Sequence, residues 1–225
     1  MNRGVIYARS LARKLGLIRI IHRFRCAAPY EHRVHEALIH SIRPGDVVWD
    51  VGANVGVYTA LFSQIVGSEG AVVAFEPLPE SCEQIRLRIA NESGVRIEQV
   101  ALSDQDREGR LALQQDSVEH HIAADGPGPE RSIPVQIRRG DTMLKLLERP
   151  PNVVKIDVEG FEEEVLQGMQ QVLDSPALRA VLVEVHFVKL ERRGRRMAPA
   201  RIEKMFRRKG LRTIWVDESH LMGQR

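Results

Sequence analysis

The sequence predicts an α/β fold: a mostly parallel, doubly wound sheet covered by helices on both faces, with an inserted β-hairpin. Short apolar runs rich in β-branched residues alternate with segments of helical periodicity, which is the pattern of successive strand–helix units. The chain has 225 residues, of which 43% are hydrophobic and 28% charged, so it can bury one large core. We therefore expect one domain over residues 31–225, preceded by a basic amphipathic segment over residues 1–30.

The first unit begins with apolar residues at helical spacing over 31–42, followed by a Pro-Gly turn at 43–46. Residues 47–51 form an apolar, β-branched run that is typical of a buried parallel strand. This strand leads directly into the turn Gly52-Ala53-Asn54-Val55-Gly56, and a helix over 57–66 follows.

The same strand–helix unit repeats further along the chain. A second buried strand over 71–75 ends at Glu76-Pro77 and precedes a charged amphipathic helix over 81–92. A third strand is predicted over 95–102, with Ser103-Asp104 directly after it.

An insertion over about 109–140 then interrupts the alternation. Arg110–Gln114 and Ile133–Ile137 alternate apolar with other residues on either side of a Gly/Pro-rich loop, which predicts an antiparallel hairpin.

Beyond the insertion, the alternation resumes and completes the sheet. The sequence predicts a strand over 153–158, a helix with an apolar stripe between 161 and 173, and a strand over 180–186. A helix over about 199–209 and a strand over 211–216, which closes the sheet, come last.

Charge is distributed unevenly along the chain, although the net charge is only +3. Residues 1–30 carry seven basic and no acidic side chains, and residues 189–212 carry eleven basic and two acidic ones. The stretch 31–188 is acidic, with 14 basic and 26 acidic side chains. The two cysteines, Cys26 and Cys82, exclude a disulfide framework and favour a reducing, cytoplasmic location. We expect neither a membrane span, which needs roughly 18 apolar residues, nor a secretory signal.

Polar residues follow every predicted strand, and ligands of open α/β sheets bind at the carboxyl ends of the strands. These residues are, in chain order, Asp50 with the glycine turn, Glu76, Ser103 and Asp104, Asp157 and Glu159, and Glu184 and His186. The sequence thus predicts one polar site at a single edge of the sheet.

The glycine turn and the acid after the second strand point to a nucleoside-type cofactor. Gly52-x-Asn54-x-Gly56 allows close approach of a ligand to the backbone, but position 57 is Val57, so the dinucleotide fingerprint is incomplete. Glu76 follows Gly56 by 20 residues, at a strand tip where an acid is suited to bind both hydroxyls of a ribose. A purely structural role is the alternative for the turn alone.

Five segments resemble the successive motifs of FkbM-type S-adenosylmethionine-dependent methyltransferases. They are Asp50-Val-Gly-Ala-Asn-Val-Gly-Val-Tyr58, Phe75-Glu-Pro77, Ala101-Leu-Ser-Asp104, Lys155-Ile-Asp-Val-Glu-Gly-Phe-Glu162 and Glu184-Val-His186, and the match covers about residues 31–216. The resemblance implies a class I methyltransferase, Rossmann-like fold and S-adenosyl-L-methionine as the cofactor.

The resemblance also implies which residues hold the cofactor. Asp50, Gly52, Asn54 and Gly56 would hold its methionine end, Glu76 the ribose, Ser103 and Asp104 would lie near the adenine, and Asp157 beside the sulfonium. Ala53, Tyr58 and Pro77 belong to the same cofactor-binding motifs.

Methyl transfer to a hydroxyl requires removal of the hydroxyl proton. His186 is the first candidate base, because a neutral imidazole needs only a small pKa shift to act near pH 7. Glu184, Glu159 and Asp157 are candidates to orient it or to take the proton directly. Lys155 alternates with Asp157 on the strand, so it is a further candidate that either contacts substrate or pairs with that carboxylate.

Acidic residues near this motif also allow other interpretations. Glu162, Glu163 and Glu164 stand in the first turns of a predicted helix, where acids complement the dipole, and Glu162 is placed to hold the preceding loop. A divalent metal at Asp157, Glu159, Glu162 and His186 is an alternative, but with one histidine and no tight ligand repeat we expect no metal.

Members of the family commonly methylate hydroxyls on sugars, glycolipids or polyketide-type natural products, so the resemblance implies O-methylation of a small-molecule or glycan substrate. An RNA methyltransferase that uses the basic ends and a non-catalytic cofactor- or partner-binding module are the alternatives. Nucleic acid is disfavoured because basic and aromatic residues are not interleaved as in stacking surfaces. Residues 1–28 combine apolar and basic side chains, so they either contact a partner or an anionic membrane surface or pack on the domain as a helix.

Overall fold

The computed structural model describes residues 29–90, 92–112, 121–122, 132–147 and 149–225. The predicted N-terminal segment, except for its last two residues, and most of the hairpin loop lie outside the described residues. The helices are α1 (Pro29–Ser41), α2 (Val57–Val66), α3 (Pro79–Arg88), α4 (Gly140–Leu147), α5 (Glu162–Gln167), α6 (Gln170–Asp174), α7 (Phe187–Arg192) and α8 (Ala198–Arg208). The strands are β1 (Val47–Val51), β2 (Ala71–Phe75), β3 (Val95–Glu98), β4 (Ala101–Ser103), β5 (Arg107–Ala112), β6 (His121–Ile122), β7 (Ser132–Arg139), β8 (Val153–Ile156), β9 (Ala180–Glu184), β10 (Arg212–Trp215) and β11 (His220–Gln224).

The central sheet has seven strands in the order β10-β11-β9-β8-β1-β2-β3. Strands β9, β8, β1, β2 and β3 are parallel. Strand β11 pairs antiparallel with β9, and the edge strand β10 pairs antiparallel with β11, so β10 runs in the direction of the parallel strands. The predicted α/β class with a mostly parallel sheet is confirmed. Because the chain winds outward from β1 in one direction and later continues from β8 in the other, the switch point of the sheet lies between these two strands.

The core occupies both faces of this sheet, because alternate strand residues point to opposite sides. Val48 and Val153 pack with α1 and α2 on one face. Trp49 and Val154 pack with α5, α6 and α8 on the other. Both strands at the switch point are therefore buried on both sides, as their continuous apolar runs predicted. None of the described helices is long and apolar enough to cross a membrane.

The predicted single strand over 95–102 is wrong. The chain forms β3 at the edge of the central sheet, turns where the Val100 N–H donates to the Glu98 carbonyl (2.8 Å), and continues as β4 in a second sheet. This second sheet has the order β4-β7-β5-β6. The predicted hairpin is present as the antiparallel pair β5 and β7, and β7 also pairs in parallel with β4. The hairpin's need for backbone partners thus draws β4 away from the central sheet.

Two further sequence predictions are corrected near the C-terminus. The helix between 161 and 173 is broken into α5 and α6, because Gly168 approaches β4 so closely that a Cβ there would lie 1.9 Å from the Ser103 carbonyl oxygen. Strand β11 was not predicted, and it separates β10 from β9. Its Gly223 weakens the strand pattern, yet a Cβ there would lie 2.8 Å from the Phe206 ring of α8, so the packing requires glycine.

Candidate active site

A cleft of about 730 Å³, partly open to solvent, lies at the carboxyl ends of β1, β2 and β8. Six of the predicted site residues line it: Gly52, Asn54, Glu76, Pro77, Asp157 and Glu159. The rest of the lining is apolar and consists of Val51, Phe75, Leu78, Val100, Ala101, Leu102, Leu111, Val158 and Phe161. A few polar groups in an apolar lining are the usual composition of a small-molecule site.

The turn after β1 owes its shape to residues with left-handed backbone. Gly52 has φ +80°, and a Cβ on it would lie 1.8 Å from the backbone oxygen of Asp157, so only glycine allows the tips of β1 and β8 to meet. Gly56 has φ +77° and packs against Ile85 of α3, and Ala53 is buried in the same region. Gly56 and Ala53 therefore shape the turn and do not line the cleft.

Two non-glycine residues among those described have positive φ, and both line the cleft. They are Asn54 at φ 50° and Glu159 at φ 56°. Such backbone costs of order 1–3 kcal/mol, and it persists where the surrounding structure enforces it, which is common at functional sites.

Glu76 connects the glycine turn to the second strand. One carboxylate oxygen accepts the Asn54 backbone N–H (2.8 Å) and the other accepts the Leu78 backbone N–H (3.0 Å). Burial raises the pKa of Glu76, and these two backbone bonds oppose the rise. Because a carboxylate oxygen accepts more than one hydrogen bond, both oxygens retain capacity for ligand hydroxyls.

Lys155 is buried beneath the cleft between two acids. Its Nζ lies 3.3 Å from Asp50 and 3.6 Å from Asp157, and 5.0 Å from the centre of the Tyr58 ring. Burial lowers the pKa of Lys155, but Asp50 and Asp157 raise it by more than burial lowers it, so the pKa of Lys155 is above its usual value. Asp50 also accepts a hydrogen bond from Thr59 (2.7 Å). Asp50 and Tyr58 do not line the cleft; they surround Lys155. Of the two alternatives that the sequence left open for Lys155, the structure shows the pair with Asp157.

His186 is held by carboxylates through both ring nitrogens. Nδ1 lies 2.7 Å from Glu162, Nε2 lies 2.9 Å from Glu159, and Nε2 lies 3.7 Å from Asp157. Burial lowers the pKa of His186, but the hydrogen bonds to Glu159 and Glu162 outweigh burial and raise it to about 11. The expectation of a neutral imidazole is therefore corrected: in this arrangement His186 is an imidazolium at neutral pH.

The two carboxylates that hold His186 differ in their surroundings. Glu159 also accepts from Lys189 (2.5 Å), and these partners overcome burial to lower its pKa to about 2. Glu162 is fully buried and accepts the Gly160 backbone N–H (2.8 Å), so it holds the loop, as predicted.

Asp157, Glu159 and His186 also offer ligand atoms within 4.8 Å of one another, a spacing that a metal ion can bridge. However, Glu159 Oε2 already contacts both Lys189 and His186, so an ion at this oxygen would displace two cationic partners.

Glu184 lies between His186 and a residue that the sequence analysis missed. Its two carboxylate oxygens lie 4.0 Å from His186 Nε2 and 3.5 Å from His220 Nε2. His220 in turn pairs with Asp217 (2.8 Å). Asp217 lies in the turn after β10, and His220, three residues later, begins β11; this spacing carries no specific signal. Only the position of β11 beside β9 brings the two residues to the site.

Ser103 and Asp104 directly follow Val100, Ala101 and Leu102, which form one wall of the cleft. Their position near the adenine stays a prediction. Ser103 and Asp104 bond to each other (3.2 Å).

Glu163 and Glu164 do more than complement a helix dipole, because both are buried and ion-paired. Glu163 contacts Arg201 (2.7 Å) and Arg195 (3.3 Å), and Glu164 contacts Arg193 (2.8 Å) and Arg195 (3.1 Å). The hydrogen bond from Arg201 is the main cause of the lowered pKa of Glu163. Three arginines of the basic C-terminal stretch therefore form ion pairs with buried acids of the domain.

Comparison with known proteins agrees with this architecture. The family model described as the methyltransferase FkbM domain matches residues 50–213. Hexuronic acid methyltransferase AglP of Haloferax volcanii is 34% identical over an alignment of 161 positions, which covers 69% of this chain and 62% of that relative. 31-O-demethyl-FK506 methyltransferase FkbM of Streptomyces tacrolimicus is 28% identical over an alignment of 182 positions, which covers 65% of this chain and 68% of that relative.

A solved structure shares the fold. The crystal structure of a methyltransferase FkbM from Methylobacillus flagellatus superposes with a TM-score of 0.53 at 12% identity, over 84% of this chain and 50% of that one. The chain thus spans less than two thirds of the hexuronic acid methyltransferase and half of the solved structure.

Proposed function

We propose that this chain, which belongs to the FkbM methyltransferase family, transfers a methyl group from S-adenosylmethionine to a hydroxyl of a sugar, glycolipid or polyketide-type small molecule. The observation that carries the proposal is the composition of one cleft. Glu76, suited to ribose hydroxyls, lines it together with Asp157 and Glu159, which adjoin His186. The printed names of the two relatives, which refer to a hexuronic acid and to a demethylated natural product, support the substrate class.

The residues present fit the cofactor. The Glu76 carboxylate keeps acceptor capacity for ribose hydroxyls, and the Gly52 and Asn54 backbone lines the same cleft. Phe75 and Leu102 belong to its apolar wall, which suits a flat base. Asp157 lines the same cleft and would supply the negative counter-charge that a sulfonium needs. When bound, S-adenosylmethionine supplies a methyl group on a positively charged sulfur, which leaves as a neutral thioether when an acceptor oxygen attacks.

Asp157 is the group best placed to take the hydroxyl proton. It lines the cleft, its side chain is 28% exposed, and its nearest cations lie 3.6 and 3.7 Å away, too far for strong hydrogen bonds. Burial is the main cause of its raised pKa, which brings it closer to that of a working base. His186, already protonated, and Lys155 then hold Asp157 in place. This assignment replaces His186 as first choice and keeps Glu184 as the alternative carboxylate.

Calorimetry with S-adenosylmethionine tests the cofactor assignment. Wild type should bind, Glu76→Gln should bind at least tenfold more weakly, and Glu83→Gln on the exposed side of α3 should bind like wild type. No binding by wild type contradicts the proposal.

Transfer of a radiolabelled methyl group tests the acceptor class. The panel comprises glycosides of hexuronic acids, glycosides of neutral sugars, a hydroxylated macrocyclic polyketide and unmodified RNA. Transfer to a hydroxyl of the first three supports the proposal. Transfer to RNA alone would establish the alternative of an RNA methyltransferase. With an accepted substrate, Asp157→Asn should lower turnover by about 10²–10⁴-fold while leaving cofactor binding measurable.

We further propose a cytoplasmic location and contact of residues 1–28 with an anionic membrane surface, which would suit a lipid-linked glycan. The seven basic residues of this stretch and its apolar residues support the second point. Flotation with vesicles of phosphatidylglycerol and phosphatidylcholine should recover the full chain and not the chain without residues 1–28. Equal recovery of both forms, or of neither, contradicts membrane contact through this segment.

A further inference from the structure

Asp217 and His220 form a second imidazole–carboxylate pair, which the proposed reaction does not yet use. Asp217 Oδ2 lies 2.8 Å from His220 Nδ1, and Asp217 Oδ1 accepts the backbone N–H groups of Ser219 (2.7 Å) and His220 (2.8 Å). The Asp217 side chain is only 3% exposed. The turn between β10 and β11 is thus built around this carboxylate, which fixes the orientation of the His220 ring.

The other nitrogen of the ring faces the candidate site. His220 Nε2 lies 3.5 Å from one oxygen of Glu184, whose other oxygen lies 4.0 Å from His186 Nε2. His186 Nε2 in turn lies 3.7 Å from Asp157 at the cleft. Carboxylates and imidazoles therefore alternate in one row, from Asp157 through His186, Glu184 and His220 to Asp217.

The charges in this row depend on one another. Burial raises the pKa of Glu184, but His220 and His186, with Lys155 on β8, lower it below its usual value. Glu184 also interacts electrostatically with Tyr58 and with Asp157, and its negative charge raises the pKa of both. Burial lowers the pKa of His220, but Asp217 and Glu184 raise it to about 9. Each imidazolium therefore stabilises the ionised form of Glu184.

We propose that His220, held by Asp217, is a positioning residue of the methyl-transfer site that keeps Glu184 ionised and couples its own proton to binding of the cationic cofactor. This inference rests on the proposed function, because it requires a sulfonium in the cleft. A cation at Asp157 in the cleft and an imidazolium at position 220 are like charges joined through the row of Asp157, His186 and Glu184, so each disfavours the other. By reciprocity, loss of the His220 proton strengthens cofactor binding, and cofactor binding weakens the hold of His220 on its proton.

Calorimetry on the full chain measures this coupling without a methyl acceptor. The affinity is measured at about pH 7.5 and about pH 10, on either side of the His220 titration. Between the lower and the higher pH, we expect the wild-type affinity for S-adenosylmethionine to rise at least threefold. S-adenosylhomocysteine shares the titrating amino and carboxyl groups but lacks the sulfonium, so its affinity should change by less than about 1.5-fold between the same two pH values.

Variants separate His220 from other titrating groups. In His220→Gln the extra pH dependence for S-adenosylmethionine should disappear, and in Asp217→Asn it should move to lower pH. His40→Gln, at an exposed position on α1, should behave like wild type.

Side-chain NMR of labelled histidine gives a second readout. The His220 signals, assigned by their loss in His220→Gln, should titrate in wild type near pH 9. Saturating S-adenosylmethionine should lower this midpoint by about half a unit or more, and S-adenosylhomocysteine should not. If His220→Gln does not fold, the His220 signals can be assigned by their shift in Asp217→Asn, and the pH dependence of that variant still decides.

The outcomes are distinguishable. If neither ligand binds wild type, the proposed function fails and the inference fails with it. If S-adenosylmethionine binds with the same pH dependence in wild type and His220→Gln, and leaves the His220 midpoint unchanged, only the inference is overturned: the pair then merely stabilises the β10–β11 turn.

Discussion

Removal of the Glu76 carboxylate should weaken both the fold and cofactor binding. In Glu76→Ala, the backbone N–H groups of Asn54 and Leu78 lose an ionised acceptor at 2.8 and 3.0 Å in a nearly buried position. Hydrogen bonds to charged groups contribute about 1.5–3 kcal/mol each. Relief of the burial cost that raises the pKa of Glu76 offsets part of this loss. We expect the free energy of unfolding to fall by about 2–4 kcal/mol.

Glu76→Gln separates the two bonds. The amide oxygen still accepts one backbone N–H, but the NH₂ group cannot accept the other, so we expect a loss of about 1–2 kcal/mol. The sign of the pH dependence follows from the raised pKa of Glu76: its contribution is fully present below the unfolded value of 4.5 and falls as pH rises through the folded value. The stability of Glu76→Gln should lack this component.

Urea denaturation monitored by circular dichroism, together with calorimetric titration of S-adenosylmethionine, measures both effects. Glu83→Ala is the matched control, because Glu83 forms an exposed pair with Arg86 on the same helix and should cost less than about 0.5 kcal/mol. A loss below about 1 kcal/mol in Glu76→Ala, with cofactor affinity retained, would refute the role assigned to Glu76.

Three further substitutions test other parts of the site. Gly52→Ala places a Cβ 1.8 Å from the Asp157 carbonyl and should abolish cofactor binding in calorimetry. Gly210→Ala, with a similar φ of +75° and nothing within 4 Å, should cost only about 1–2 kcal/mol and bind normally. His186→Asn leaves Glu162 buried without its cation and should cost about 3–5 kcal/mol at pH 6 by urea denaturation. That cost should decline as pH rises above 6.5 and vanish beyond about 11, and a cost independent of pH would contradict the imidazolium. Glu163→Gln breaks pairs with the partly exposed Arg195 and Arg201, so we expect the free energy of unfolding to fall by about 1–2 kcal/mol at neutral pH. This difference should disappear as pH falls through the lowered pKa of Glu163. The control Glu203→Gln, in an exposed pair with Arg207, should leave stability unchanged at both acid and neutral pH.

The strand tips show how far local pattern determines a site. Asp157 and Glu159 follow one buried strand, and Glu76 follows another. Because the carboxyl ends of parallel strands meet at one edge of the sheet, their order along the chain was sufficient to predict that these side chains share a cleft. The glycine turn was equally readable, since Gly52 and Gly56 occupy positions whose backbone excludes most side chains.

The errors have a common physical origin. The split between β3 and β4 depends on the hairpin that pairs with β4, and the glycine within β11 masks a strand that packs under Phe206.

By itself, the sequence determined the α/β class, the glycine turn, and the acids at the strand tips, because these depend on periodicity and on residues near one another in the chain. The tertiary structure decided the protonation states and the pairing of the histidines at the site. His186 becomes an imidazolium because Glu159 and Glu162 bind both its nitrogens, and His220 reaches Glu184 because β11 inserts beside β9. Protonation depends on distances of a few ångströms between groups far apart in sequence and on their removal from water, and neither quantity is encoded in a local pattern.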